Sequence, residues 1–441
     1  WAPVFFNLIF LLPLRAILLS LTDDRRLVWL GLWFFNLANW VGQDYFAPQA
    51  FGYFLYLVIL AVLLAWFAVP GQTVLLSRLA QGGSILSKPA RFVSSLFERA
   101  GQTSQPIQPL ARLVLLLIVV DAFLVVVASH QLTPFSILVG VTALVLFNRI
   151  SPRGLPLIMG LLLAMWITYM TVAYLSGHIS SMLGFFGQLD QTVGTNLTNR
   201  LHGSPQHMLI TRLRLLTTLS LWLLAFLGIV RRFLNNHLDV NHILLAVAPF
   251  PLIALQSYGG ELLMRIYLFA LPLMAAFAAA LFFPVNNQRP ARRTALLVGA
   301  VSLPWLVMFV FVRFGNERMD YFSAQEYQAV EYVYQNAPEG SLLVASSTNM
   351  PFRYQNYELY KHVFLEKLVL EQDTHALIAE IEKRHNPETY LILTRSQGAY
   401  LEMFFDFPRH GWQRLHDELL DSGKFSLVYS NPDAAVYKLL P

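Results

Sequence analysis

Apolar runs separated by short, often basic loops leave this chain little choice of fold. The runs fall near residues 3–21, 27–42, 50–69, 111–129, 135–148, 155–175, 213–230, 241–256, 265–284 and 294–313. Runs of this kind match the hydrocarbon thickness of a bilayer, and the shorter ones are tolerated beside interfacial tryptophan or where a helix enters obliquely. Only 13% of the residues are charged and 56% are hydrophobic, against about 25% charged in a soluble domain. The expectation is a polytopic α-helical membrane protein of about ten spans.

The basic residues set its orientation. One set of alternate loops carries Arg25, Arg26, Arg78, Lys88, Arg91, Arg99, Arg149, Arg153, Arg231, Arg232, Arg289, Arg292 and Arg293. The opposite set, before Arg313, carries Arg200, Arg212, Arg214 and Arg265. Thirteen against four in these two sets makes the first cytoplasmic. Asp44, His130, the 176–212 loop, Glu261 and everything after 314 then lie outside. The net charge of +5 is spread over loops between apolar runs and gives no argument for nucleic acid. There is no cysteine, hence no disulfide or thiol chemistry. Trp1 opens directly into an apolar run on the outer side, so an odd number of spans, most simply one, is expected before it.

Two domains are expected: a helical membrane domain over 1–314 and an extracytoplasmic α/β domain over 315–441. Within the first, segment 70–110 alternates apolar and basic residues and reads as a cytoplasmic interfacial helix held to anionic membrane lipids. The 176–212 loop is long and polar, with His178, Asp190, Arg200, His202 and His207, and loops of that length are usually functional or disordered. In the second, helices over Ser323–Gln335, Asp373–Lys383 and Trp412–Leu420 alternate with strands Ser341–Ala345 and Thr389–Thr394. That order argues a largely parallel sheet. Phe425–Tyr429 and Ala434–Leu439, split by Asn431-Pro432-Asp433, read as a hairpin.

The chemistry is expected on the outer side. Gln43-Asp44-Tyr45 lies in the turn between the second and third runs, where a carboxylate can hold a proton, a cation or a sugar hydroxyl. Ser129-His130-Gln131 ends the fourth run. Tyr258-Gly259-Gly260-Glu261 leads into a helix on which Arg265 shares a face with Glu261. An arginine there can grip a phosphate, and helix N-terminal amides favour anions. A Glu261–Arg265 pair that serves structure alone fits the spacing equally well. Asp121 lies inside a span, where a carboxylate is costly and is expected to have a helix-packing partner. No zinc spacing, nucleotide loop or Ser/His/Asp order is present.

The order of helix, Asp23-Asp24-Arg25-Arg26 turn, helix and outer Asp44 resembles the early part of the GT-C membrane glycosyltransferases, which include protein mannosyltransferases and the aminoarabinose transferases of lipid A. The stretches Asn39–Gln49, Ser129–Pro134 and Tyr258–Pro272 are also similar to multi-spanning proteins of actinobacteria and related bacteria assigned to that superfamily. The resemblance implies a bacterial plasma-membrane enzyme that moves a sugar from a polyprenyl-phosphate donor to a glycan, lipid or protein acceptor outside the cell. It implies no certain cofactor, with a divalent cation (Mg or Mn) as an option and the metal ligands unassigned. On it, Asp44 matches the acidic residue opening the second outer loop, and would orient the acceptor or hold the metal. The main base would fall before Trp1. His130 is the other catalytic candidate. Arg265, Glu261 and Tyr258 would bind the donor phosphate; Gln43, Tyr45, Gln131, His202 and His207 would bind the acceptor. The alternative is a non-enzymatic protein, either a lipid-carrier transporter or a scaffold subunit of a membrane complex.

Overall fold

The computed structural model describes residues 1–69, 106–172, 194, 202–254, 261–285, 292–384, 386 and 388–440. The interfacial helix expected within 70–110, Tyr258 and most of the 176–212 loop lie outside the described residues. The chain divides into two compact units, Trp1–Leu197 with Arg214–Arg313, and Thr198–Leu213 with Phe314–Pro441.

The first unit is built of apolar helices. They are α1 (Ala2–Leu21), α2 (Arg25–Ala38), α3 (Pro48–Val62, continued by a π turn over Leu63–Phe67), α4 (Pro109–Ser129), α5 (Thr133–Leu146), α6 (Leu155–Met170), α7 (Pro205–Leu234), α8 (Val240–Val247), α9 (Leu262–Ala280) and α10 (Arg292–Phe314). Among the described residues, six helices are long and apolar enough to cross a membrane: α1, α3 with its π turn, α4, α7, α9 and the helix that starts at Arg292. Thr133–Leu146, Leu155–Met170 and Val240–Ala254 are apolar but shorter. The long apolar helices make this a membrane protein by length and composition. α7 starts at Pro205, well before the expected 213, because Ser204 caps it: the Ser204 hydroxyl accepts from His207 N at 3.3 Å, and proline suits the first helical turn.

α9 is the core of this unit. From Phe269 to Ala280 only Met274 is not fully buried, and five of the last six residues are alanine. Small side chains let helix backbones approach, which is how membrane helices gain packing where apolar burial gives no drive. α2 runs against α9, and α7 comes so close that a Cβ on Gly228 would sit 1.8 Å from the Phe277 carbonyl oxygen. Gly228→Ala therefore forces α7 off α9.

The cytoplasmic-reading end is closed by buried polar pairs. Arg232 binds Asp239 through Nε at 2.5 Å and Nη2 at 2.9 Å and donates to the Pro284 carbonyl at 2.8 Å. Fully buried Arg149 donates to Asn241 Oδ1 at 2.6 Å, and His242 Nε2 lies 2.9 Å from Ser20 Oγ. Arg149 and Arg232, which read as loop charges, are inside the protein. Asp121 differs from expectation too: among the described residues it lies on an exposed stripe of α4 with Leu117, Ile118, Leu124 and Val125, not against a partner helix.

The second unit continues with α11 (Glu317–Asp320), α12 (Ala324–Asn336), β1 (Leu342–Ala345), β2 (Lys361–Phe364), α13 (Glu366–Leu370), α14 (Thr374–Glu382), β3 (Thr389–Thr394), α15 (Arg395–Phe405), α16 (Arg409–Asp421), β4 (Phe425–Asn431) and β5 (Ala434–Leu439). The sheet order is β2-β1-β3-β5-β4. β1 pairs in parallel with β2 and β3, whereas β5 runs antiparallel to β3 and β4. The sheet is thus mixed where a largely parallel one was expected. Alternation explains its two layers: Leu342, Val344, Leu391 and Leu393 pack with α14, α15 and α16, while Leu343, Ala345, Tyr390 and Ile392 pack with α12. The hairpin turn is held by Asn431 Oδ1, which accepts from Asp433 N at 3.0 Å and Ala434 N at 2.8 Å. β2 escapes sequence detection because Lys-His-Val-Phe is a short edge strand with an exposed lysine.

Candidate functional site

The turn between α2 and α3 folds inward. Asp44 is 3% exposed, and Arg313, at the end of α10, donates from Nη2 to its Oδ1 at 2.5 Å. Asn7 Nδ2 of α1 donates to its other oxygen, Oδ2. Gly42 makes room for this: its φ is +71°, and a Cβ there would stand 3.2 Å from Arg313 Nη1. The expected surface carboxylate is therefore a buried anion held from two helices. Both its oxygens are engaged. Among the described residues no group of three or more His, Asp or Glu side chains is placed to hold a metal ion. Asp44, with both oxygens already bonded to Arg313 and Asn7, is a poor ligand for Mg or Mn, which ask for free oxygens.

Gln49, in the first turn of α3, is 4% exposed, and among the described residues neither amide atom has a hydrogen-bond partner. One turn deeper, Tyr53 donates to the Leu268 carbonyl at 3.0 Å, and Tyr56 to the Phe269 carbonyl at 2.9 Å. α3 and α9 are thereby locked with their N-terminal turns at the same end, which puts Gln49 and Arg265 at matching depth. α1 joins them there, since Phe10 packs edge-on against Tyr53 with ring centroids 5.2 Å apart.

Arg265 is 7% exposed. Its Nη2 donates to Glu261 Oε2 at 2.6 Å, the one-turn pair that the spacing predicted. Among the described residues its Nε and Nη1 have no partner. Nη2 carries two hydrogens, so one complete fork of the guanidinium remains open for an oxyanion. Two residues on, Tyr267 donates to the Ala38 carbonyl at 2.7 Å and stacks on Trp40 at 5.5 Å. Arg214 covers the Trp40 ring at 5.4 Å and donates to the Val312 carbonyl at 2.9 Å.

His130 stands against α3. A Cβ on Gly52 would lie 3.5 Å from its own Cβ, so α3 touches it on one side, and the Arg265 charge acts on its ring from another. Burial, and then Arg265, push its pKa down to about 4, so the ring is neutral at neutral pH. Its Nδ1 accepts from Thr133 N at 3.2 Å and lies 2.8 Å from Thr133 Oγ1. A backbone N–H can only donate, so Nδ1 carries the lone pair and Nε2 the proton. His130 therefore holds its proton on Nε2, with Nδ1 engaged by Thr133.

No protein-family model matches the chain, and no curated protein matches it.

The structure brings Asp44, Gln43, His130, Glu261 and Arg265 to one end of the helical unit. Tyr45 is 53% exposed there, and Gln131 is exposed as well. His202 and His207 belong instead to the sheet-bearing unit, where His207 packs on Phe404 with ring centroids 4.4 Å apart. Sequence reading missed Asn7, Gln49 and Arg313. In the sheet-bearing unit the carboxyl ends of β1 and β3, where ligands commonly bind, are plugged. Glu326 accepts from Ser396 N at 2.6 Å, Gln397 is bonded to Ser346, and Asn349 donates to the Met319 and Ser396 carbonyls. A cleft of about 430 Å³ opens beside them, between Arg395, Glu402, Trp412, His416, Asp417 and Asp433.

The His130 assignment has a measurable consequence. In the unfolded chain its pKa is near 6.5, and folding lowers it to about 4. The unfolded state therefore binds more protons between these values, and stability falls as pH drops from 6.5 towards 4. Up to about 3 kcal/mol is lost from this group, at roughly 1.4 kcal/mol per pH unit. Above pH 6.5 it contributes no slope. Melting curves at pH 7 and pH 4.5 should converge for His130→Gln relative to wild type; an unchanged pH slope would contradict the assignment.

Proposed function

We propose that the chain is a polytopic membrane glycosyltransferase of GT-C type, which takes a sugar from a polyprenyl-phosphate donor and passes it to an acceptor outside the cytoplasm. One observation carries this reading: a buried arginine with unused N–H donors at the N-terminal turn of a helix. Such a place stabilises an oxyanion twice, through the guanidinium and through the helix amides.

In the proposed reaction an acceptor hydroxyl attacks the anomeric carbon. The bond from that carbon to the phosphate oxygen breaks, and its electron pair stays on the phosphate. Arg265 neutralises the charge that builds there, where a low dielectric makes the interaction strong. The hydroxyl proton passes to a general base. Asp44 holds the α1–α10 end of the site through Asn7 and Arg313 and takes no part as a free carboxylate.

The reading places about ten passes in a bacterial plasma membrane, with the unit after Arg313 outside the cytoplasm. The arginine asymmetry of the loops supports this. The chain has no cysteine, so single cysteines at Ser84 and Ser422 report topology directly. They should react with an impermeant maleimide from opposite sides of the membrane; reaction from one side only would sink the orientation. For the activity, the full chain in nanodiscs should bind a radiolabelled polyprenyl-phosphate sugar saturably and release polyprenyl phosphate when acceptor is present. Binding without release would move the reading to a lipid-carrier protein, and no binding would end it.

A further inference from the structure

Buried polar atoms without partners are few in folded proteins, because each has given up water for nothing. In the helical unit most of them gather at the end that holds Arg265. Among the described residues, Asn39 Oδ1, Gln43 Oε1, Gln49 Oε1 and Nε2, and Arg265 Nε and Nη1 are all unpartnered, as is Ser136 Oγ in the first turn of α5. Gln49 is the extreme case, an amide 4% exposed with both ends unused. Its place is fixed by rigid neighbours: Pro48 starts the helix before it, and the Tyr53 bond to α9 anchors the next turn.

The balance of donors and acceptors specifies the ligand. A phosphate diester oxygen only accepts, so it satisfies Arg265 and Gln49 Nε2. It leaves Gln49 Oε1 buried without a donor, and Asn39 and Gln43 add further acceptors at the same end. A ligand that fills the site must therefore bring hydroxyl donors close to its phosphate. A sugar joined to phosphate through its anomeric carbon does so.

We infer that Gln49 is the residue that distinguishes a glycosyl phosphate from a phosphate diester without hydroxyls, its Oε1 accepting from a sugar hydroxyl while its Nε2 donates to a phosphate or ring oxygen. The inference rests on the phosphate reading of Arg265 and extends it to the sugar.

The test uses the full chain in nanodiscs and three probes: methyl farnesyl phosphate, and the mannosyl and ribosyl diesters of farnesyl phosphate. All three carry one negative charge, so only the hydroxyls differ. Wild type should bind at least one glycosyl diester roughly 10- to 100-fold more tightly than the methyl diester, since a buried acceptor left unpaired is penalised by that order. Gln49→Leu should bind all three alike, near the wild-type affinity for the methyl diester. It should also melt about 2–4 °C higher without ligand, because an unpaired buried amide is replaced by hydrocarbon. Gln49→Met serves as the second, unbranched replacement. Equal binding of all probes by wild type, or discrimination surviving in Gln49→Leu, would overturn the role of Gln49 and leave the phosphate site standing. Melting lowered by several degrees in both variants would assign Gln49 to structure and overturn it too. Failure of wild type to bind any probe would remove the phosphate site along with it.

Discussion

Arg265→Leu is expected to lower the affinity for a polyprenyl-phosphate sugar, and any transfer from it, by roughly 30- to 1000-fold. A charge-assisted contact to an oxyanion at a dry site is worth about 2–4 kcal/mol, and its loss scales accordingly. Arg265→Lys should retain part of the effect, because an ammonium keeps the charge but lacks the planar fork. The competing account treats Arg265 as the structural partner of Glu261. In that pair the arginine side chain is 8% exposed but the glutamate is 41% exposed, and half-solvated ion pairs contribute only about 0–1 kcal/mol. Glu261→Gln should therefore change neither melting nor donor affinity by much. The two variants are compared by equilibrium binding of the lipid-linked donor and by thermal melting in nanodiscs. A stable Arg265→Leu protein that binds donor as wild type does would eliminate the phosphate role. Equal loss of melting temperature in Arg265→Leu and Glu261→Gln would return the pair to structure.

What the sequence disclosed follows the range of the interactions involved. Glu261 and Arg265 are four residues apart, so helix periodicity alone brings them together. Strand β3 and the hairpin could be read from local apolar runs and from Asn431-Pro432-Asp433. Asp44 was visible as a polar residue in a turn, but its partners were not: Asn7 lies 37 positions away and Arg313 lies 269. No local pattern encodes such a pairing. Gln49 was hidden for another reason. A glutamine after Pro48 at a helix start looks like an interfacial side chain, and only packing shows that it is buried without a partner. Arg149 and Arg232 misled in the opposite sense. Both served as loop charges in the orientation count, yet Arg149 is bonded to Asn241 and Arg232 to Asp239 inside the bundle.

The second large effect concerns the Asp44 lock. Arg313→Leu leaves a 3% exposed carboxylate still bonded to Asn7 but without its cationic partner, and removing one partner of a buried ion pair costs about 3–5 kcal/mol. Melting in nanodiscs should fall accordingly. Asp44→Asn should be milder, since an amide oxygen can still accept from Arg313. Replacing both, Asp44→Leu with Arg313→Leu, should recover much of the loss, because no uncompensated charge is left inside; the departure from additivity measures the pair itself. Asn7→Ala removes a hydrogen bond to a charged acceptor and should cost about 1.5–3 kcal/mol. The sequence alone suggested a different role, an accessible carboxylate that orients the acceptor or holds a metal. That role predicts the reverse ranking: Asp44→Asn would abolish transfer with melting intact, and Arg313→Leu would leave stability nearly unchanged. Melting and donor binding measured on the same four proteins decide between them, and a wild-type melting temperature for Arg313→Leu would remove the lock.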